Sequence, residues 1–216
     1  MRRLAPVLVA VLSAVLVVGC GGGSGAGGSS DGGAVGSTIA GADAPLAGAT
    51  AAPKRLGGTG PLADAKLYTG LTQTHVDGPV RYRQTPPVGG DHAPVWQNCG
   101  GYTEAINAPN GVHAMEHGAV WITYRPSLAD EEVEVLDALI ASNPYLVVSP
   151  WYGDDLPSPI VLSAWGVQLG VEKADDPAVA AFVKRFEQGP QTPEPGATCS
   201  GGVGSPSTIS RAPVGN

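Results

Sequence analysis

The chain is poor in the residues that most often carry chemistry. Of its 216 residues, three are Cys, four are His, two are Met and two are Phe, and only 14% are charged. Twelve Lys and Arg against nineteen Asp and Glu leave a net charge of −7 with no basic stripe, which argues against a nucleic-acid partner. No Gly-x-Ser-x-Gly elbow lies between a strand and a helix, and no glycine-rich phosphate loop follows a strand. Serine hydrolysis and nucleotide chemistry therefore have no motif to stand on. The apolar run from Leu4 to Val18 is shorter than the roughly 18 residues that a membrane-spanning helix needs.

Glycine and proline, by contrast, number 32 and 20. Ahead of most of them, Arg2 and Arg3 give a short positive start, and Leu16-Val17-Val18-Gly19-Cys20 ends the apolar run with a small residue directly before a cysteine. That arrangement reads as a lipoprotein signal peptide over 1–19, with Cys20 as the lipidated residue. Cleavage removes Arg2 and Arg3 and takes the net charge from −7 to −9. Contact with the membrane is thus expected through the lipid alone, on the extracytoplasmic face. Residues 21–60 hold 14 Gly among Ser, Ala and Thr. With so little apolar surface to offset about 1–2 kcal/mol of backbone entropy per ordered residue, 20–60 reads as a flexible tether. A single globular domain is expected over 61–200 and a frayed tail over 201–216. With Cys20 lipidated, Cys99 and Cys199 remain as one pair in an oxidising compartment, and a disulfide between them is expected.

Ala119 to Tyr124 is β-branched and aromatic throughout and reads as a buried strand, stopped by Arg125-Pro126. Ser127 with Asp130 resembles a capping box and predicts a helix to about Ser142, striped by Leu128, Val135, Leu136, Leu139 and Ile140. Tyr145 to Ser149 and Ile160 to Trp165 are expected strands, and Asp176-Pro177 opens a second helix over Ala178 to Glu187. The order β-α-β-β-α predicts an α+β fold, a small mixed sheet with two helices on one side. An irregular Pro- and Gly-rich region precedes it, in which only Val80 to Gln84 alternates like a strand.

All four histidines, His75, His92, His113 and His117, fall within 43 residues, and Met115 lies between the last two. The segment Val112-His113-Ala114-Met115-Glu116-His117-Gly118 admits two readings. As a strand, period two puts His113, Met115 and His117 on one face, a soft nitrogen and sulfur set suited to copper. As a helix, it groups His113, Glu116 and His117 into the His-x-x-Glu-His pattern of inverted zinc metallopeptidases, with the Glu as base on zinc-bound water. Pro109-Asn110-Gly111 is turn chemistry and Gly118 precedes a strand, which favours the extended or single-turn geometry. The zinc reading also lacks a third ligand, with Glu131, Glu132, Glu134 and Glu187 available and no motif to choose among them. For copper, His92 joins His113 and His117, and Asp91 is placed to fix its tautomer; His75 is a further candidate. Set against both is a structural reading, in which the histidines satisfy buried backbone groups and Met115 is core. Trp96, Trp121, Trp151 and Trp165 with their neighbouring tyrosines could line a sugar cleft, although such residues more often build core.

The strings Thr85-Pro-Pro-Val-Gly-Gly-Asp-His92, Trp96-Gln-Asn-Cys-Gly-Gly-Tyr102, Val112 to Tyr124 and Ser158 to Gly166 together resemble domain-of-unknown-function family 3105, over about Thr72 to Cys199. Its members are typically exported or membrane-tethered bacterial proteins without an established activity, so the resemblance implies a domain and a compartment and leaves the mechanism open. The family's histidine motifs map onto His92, His113 and His117. Where relatives commonly carry Leu, this chain carries Met115. The expectation is a lipid-anchored extracytoplasmic domain that binds a transition metal, copper before zinc, through His92, His113 and His117 with Met115 as fourth ligand. Its work would be sequestration or delivery, beside a metal-handling or envelope protein. The alternatives are a noncatalytic envelope interaction module with structural histidines and a zinc-dependent hydrolase.

Overall fold

The computed structural model describes residues 44–205; the expected signal peptide, Cys20 and residues 206–216 lie outside them. In chain order the elements are β1 (Leu46–Ala47), β2 (Lys54–Arg55), β3 (Lys66–Leu67), β4 (Arg81–Tyr82), β5 (Gly100–Gly101), α1 (Ala108–Glu116), β6 (Val120–Tyr124), α2 (Asp130–Ala138), β7 (Leu146–Pro150), β8 (Ile160–Ala164), β9 (Val167–Val171) and α3 (Pro177–Phe186); a 3-10 turn, Leu139–Ser142, follows α2. Seven strands form one mixed sheet in the order β2-β3-β9-β8-β6-β7-β5, and β1 pairs with β4 beside it. This is the α+β class that the element order predicts.

The sheet is built outward from β6, whose five residues are all buried. It pairs in parallel with β7 across the α2 crossover and antiparallel with β8. Strand alternation then splits the core in two. Val120, Ile122, Leu146, Val148, Ile160 and Leu162 face one way and pack with Leu136 of α2 and Val179, Phe182 and Phe186 of α3. Trp121, Val147 and Val161 face the other way and pack with Val112, Ala114 and Met115 of α1. The Trp121 Nε1–H donates to the Ser149 hydroxyl at 3.0 Å, so the indole's one polar atom is satisfied inside the sheet.

Several elements differ from the sequence expectation. Among the described residues there are three α-helices rather than two, and the additional one, α1, covers the second face of the sheet. Order begins before residue 61, because β1 and β2 hydrogen-bond to β4 and β3. Their few paired residues meet strands supplied by the domain, so they do not have to build a core of their own. The strand expected to end at Trp165 is the first half of a hairpin: Trp165 and Gly166 (φ +69°) turn the chain, and β9 returns along β8. No side chain caps α2, which starts after Ala129; Asp130, Glu131 and Glu132 lie in its first turn, at the positive end of the helix dipole. Val203, in the expected tail, bonds through its backbone to Trp96 and Asn98 at 2.8 Å each. Cys99 and Cys199 form the expected disulfide, with Cα atoms 5.4 Å apart. No helix among the described residues is long and apolar enough to cross a membrane.

Candidate metal centre

Two irregular strands and one helix bring the four histidines together. His75 and His92 face each other in an isolated parallel bridge, with Val76 N–H donating to His92 O at 2.8 Å and His92 N–H to Thr74 O at 3.0 Å. The turn before His92 passes so close to the β1 segment that a Cβ on Gly90 (φ +111°) would lie 2.6 Å from Gly48 N. The other two histidines come from α1. Pro109 sits in its first turn, where a missing N–H does no harm, and Gly118 (φ +96°) ends it. Gly118 N–H bonds to Met115 O and Ala119 N–H to Ala114 O, both at 3.0 Å, the pattern that closes a helix on a left-handed residue. Spacings of three and four residues then place His113, Glu116 and His117 on one side of α1 and turn Met115 to the other. The period-two reading of this segment is thereby corrected, and Met115 is fully buried among the apolar residues of the second core.

The hydrogen bonds fix the rings chemically. His92 Nδ1 lies 2.7 Å from Gly90 O, His113 Nδ1 2.7 Å from Ala93 O, and His117 Nδ1 2.7 Å from Thr198 O. A carbonyl oxygen only accepts, so each of these nitrogens carries the proton and each neutral ring leaves Nε2 with a bare lone pair. Those lone pairs converge. His92 Nε2 is 2.8 Å from Glu116 Oε2, and His113 Nε2 is 3.0 Å from His117 Nε2. His75 Nε2 lies 3.5 Å from the same Glu116 oxygen. The donor atoms of His75, His92, His113 and Glu116 all fall within 4.8 Å of one another. Acceptors facing acceptors at such distances need a cation between them: a proton, or a metal whose ligands stand about 2.0–2.2 Å from it and hence roughly 3–3.5 Å from each other.

Burial sets the electrostatics. His92 is completely buried, His113 and Glu116 nearly so, while the His75 side chain is 47% exposed. Burial pushes the His113 ring down to about 4, against the pull of the Ala93 carbonyl and with help from the neighbouring histidines, so its Nε2 keeps its lone pair in mildly acidic solution. Burial pushes the Glu116 carboxyl up, but a proton taken up by the imidazoles around it, His92 first among them, favours the carboxylate more strongly and holds it below its ordinary value. A half-exposed imidazole thus opens onto a buried anionic oxygen and two fixed nitrogens.

Of the residues singled out in the sequence, His75, His92, His113 and Glu116 come together, His117 stands beside His113, and Met115 does not take part. Asp91 is not the group that orients His92, since Gly90 O does so; the Asp91 Oδ1 atom is buried with no hydrogen-bond partner among the described residues. The glutamates considered as a third zinc ligand are elsewhere. Glu131, Glu132 and Glu134 ride on α2, which packs on the opposite face of the sheet, and Glu187 accepts from Tyr145 N–H at 2.8 Å. The carboxylate beside His117 is Glu194, whose Oε2 is 3.6 Å from His117 Nε2. No motif marks it, because it sits in a loop 77 positions along the chain and is brought in by its backbone N–H, which donates to Glu116 O at 3.0 Å. Trp121, Trp151 and Trp165 are buried, as core residues are; Trp96 packs on the rings of His113 and His117. A family model described as a protein of unknown function (DUF3105) matches residues 74–201. No curated protein and no solved structure matches the chain.

Proposed function

The chain belongs to the DUF3105 family; from that starting point we propose that its domain binds one divalent transition-metal ion through His75, His92, His113 and Glu116, for sequestration or delivery at the outer face of a cell membrane. One observation carries the reading: His92 and His113 each spend Nδ1–H on a backbone carbonyl and aim a bare Nε2 into the same small, buried space as the Glu116 carboxylate. Backbone carbonyls that hold imidazoles in this tautomer are the usual support of metal-binding histidines. Histidines that merely satisfy buried backbone groups have no need to converge on one another.

Three imidazoles and a carboxylate suit Cu(II) or Zn(II), with Cu(II) favoured by the general affinity order. With Met115 facing the core, Cu(I) has no sulfur ligand in this set. Binding is favoured over hydrolysis because a Glu base must be free to take a proton from metal-bound water, whereas the buried Glu116 Oε2 lies among the converging ring nitrogens, 2.8 Å from His92 Nε2, in the position of a ligand. The extracytoplasmic position rests on the lipidation of Cys20 and brings with it a partner protein that supplies or receives the ion.

The test is elemental analysis of the purified full chain after loading with copper or zinc and exhaustive dialysis, beside His92→Ala and His113→Ala. About one equivalent that is lost in both variants supports the site and names its ion. A well-folded wild type that retains no metal refutes it and leaves an envelope interaction module with structural histidines.

A further inference from the structure

One more imidazole stands outside the four-residue group with its coordinating atom fixed. The His117 side chain is 5% exposed, its Nδ1–H is held by Thr198 O, and its Nε2 points at two groups, His113 Nε2 at 3.0 Å and Glu194 Oε2 at 3.6 Å. The first separation falls within the roughly 3–3.5 Å between two ligands of one ion, and the second lies just beyond it, within reach of a rotation of the half-exposed Glu194 side chain. His113 Nε2, with a single lone pair, thus borders two sets of donors: His117 and Glu194 on one side, and His75, His92 and Glu116 on the other. On this side exposure falls from 54% for the Glu194 side chain to 5% for His117 and 3% for Glu116, while His75, at 47%, borders solvent on the other.

Resting on the metal reading above, we propose that His113, His117 and Glu194 form an outer metal position, through which an ion passes by ligand exchange to the inner group. The bonds to Glu194 and His117 break as bonds to His92, His75 and Glu116 form; His113 keeps the ion throughout, and no electron changes hands. The outer position holds the ion weakly, because an exposed glutamate gives up rotamer freedom to bind. The inner one holds it more tightly, because it has four donors, of which His92 and His113 are already oriented by backbone carbonyls. A weak site in series with a tight one speeds loading and release equally and leaves the equilibrium of the inner site where it was.

The experiment follows copper or zinc passing from the loaded full chain to an excess of a coloured chelator, in wild type, Glu194→Gln and His117→Ala. Glu194 is half exposed, so its conversion to Gln removes a ligand without disturbing the fold. Exchange should slow about tenfold or more in both variants. Wild-type exchange rates in Glu194→Gln, with metal retained, overturn the outer position and leave the inner site standing. A wild type that binds no metal overturns both readings together.

Discussion

His113 carries its proton on Nδ1 because the Ala93 carbonyl accepts it there, and burial holds the whole ring near a pKa of 4 against the ordinary 6.5. The unfolded chain therefore binds a proton at this residue from about pH 6.5 downward, and the folded chain only near pH 4. Stability from this group is present above pH 6.5 and lost as pH falls toward 4, on the order of 3 kcal/mol across that window in metal-free protein. Urea unfolding at pH 7 and pH 4.5 should show the loss in wild type, and His113→Gln should flatten that part of the profile; parallel profiles would contradict the assignment. Met115 gives the complementary case. It is buried away from the rings, so Met115→Leu should retain the full metal equivalent and cost less than about 1.5 kcal/mol in thermal unfolding. The crowding of the four histidines into one stretch made the centre legible in the sequence. The role of Glu194 was not, because a backbone hydrogen bond formed only in the folded chain brings it to His117.

At the level of elements, α1 is where local signals mislead. Pro109-Asn110-Gly111 has the composition of a turn, yet Pro109 occupies the first turn of a helix, and Gly111 is small for a packing reason: a Cβ there would meet Trp121 Cζ3 and Ile106 Cδ1 at 3.0 Å. The helix forms because the indole of β6 fills the space a larger residue would need, a tertiary cause that propensity cannot register. Strand β6 itself was legible, since burial on both faces demands an unbroken apolar run. Gly118 is the element's critical position. Its φ of +96° disfavours any side chain, and a Cβ would sit 2.4 Å from Gln188 Nε2 and 3.0 Å from Thr192 Cγ2. Gly118→Ala should therefore destabilise by more than about 1 kcal/mol and lower the melting temperature by several degrees. Because the substitution pushes the C-terminal arm away from His117, metal exchange should change as well. A variant with wild-type melting would show that the helix can end another way.

At the scale of the whole molecule, one covalent feature is in the fold and a second belongs to the proposed function. The Cys99–Cys199 disulfide closes a separation of 100 residues, next to Thr198, whose carbonyl orients His117. In the chain-entropy picture its removal costs about 4–5 kcal/mol. Cys99→Ser with Cys199→Ser should lower the urea midpoint accordingly and, by loosening the arm that carries Thr198 and Glu194, alter metal exchange more than metal stoichiometry. In the proposed function Cys20 carries the lipid and acts on location alone. The metal donors proposed here lie between His75 and Glu194, and no described helix can span a bilayer. With the expected cleavage before Cys20 the charge would be −9, which anionic headgroups repel. In the proposed reading the anchor is the lipid on Cys20, and at about 0.8 kcal/mol per buried CH₂ two acyl chains suffice for stable anchoring where one does not. Cys20→Ser should move the protein from the detergent-extracted membrane fraction to the soluble one while its metal content stays the same. Equal partitioning of wild type and variant would remove the anchor from the proposal, whereas a joint loss of membrane association and metal would mean that loading takes place only at the membrane, beside the partner that supplies the ion.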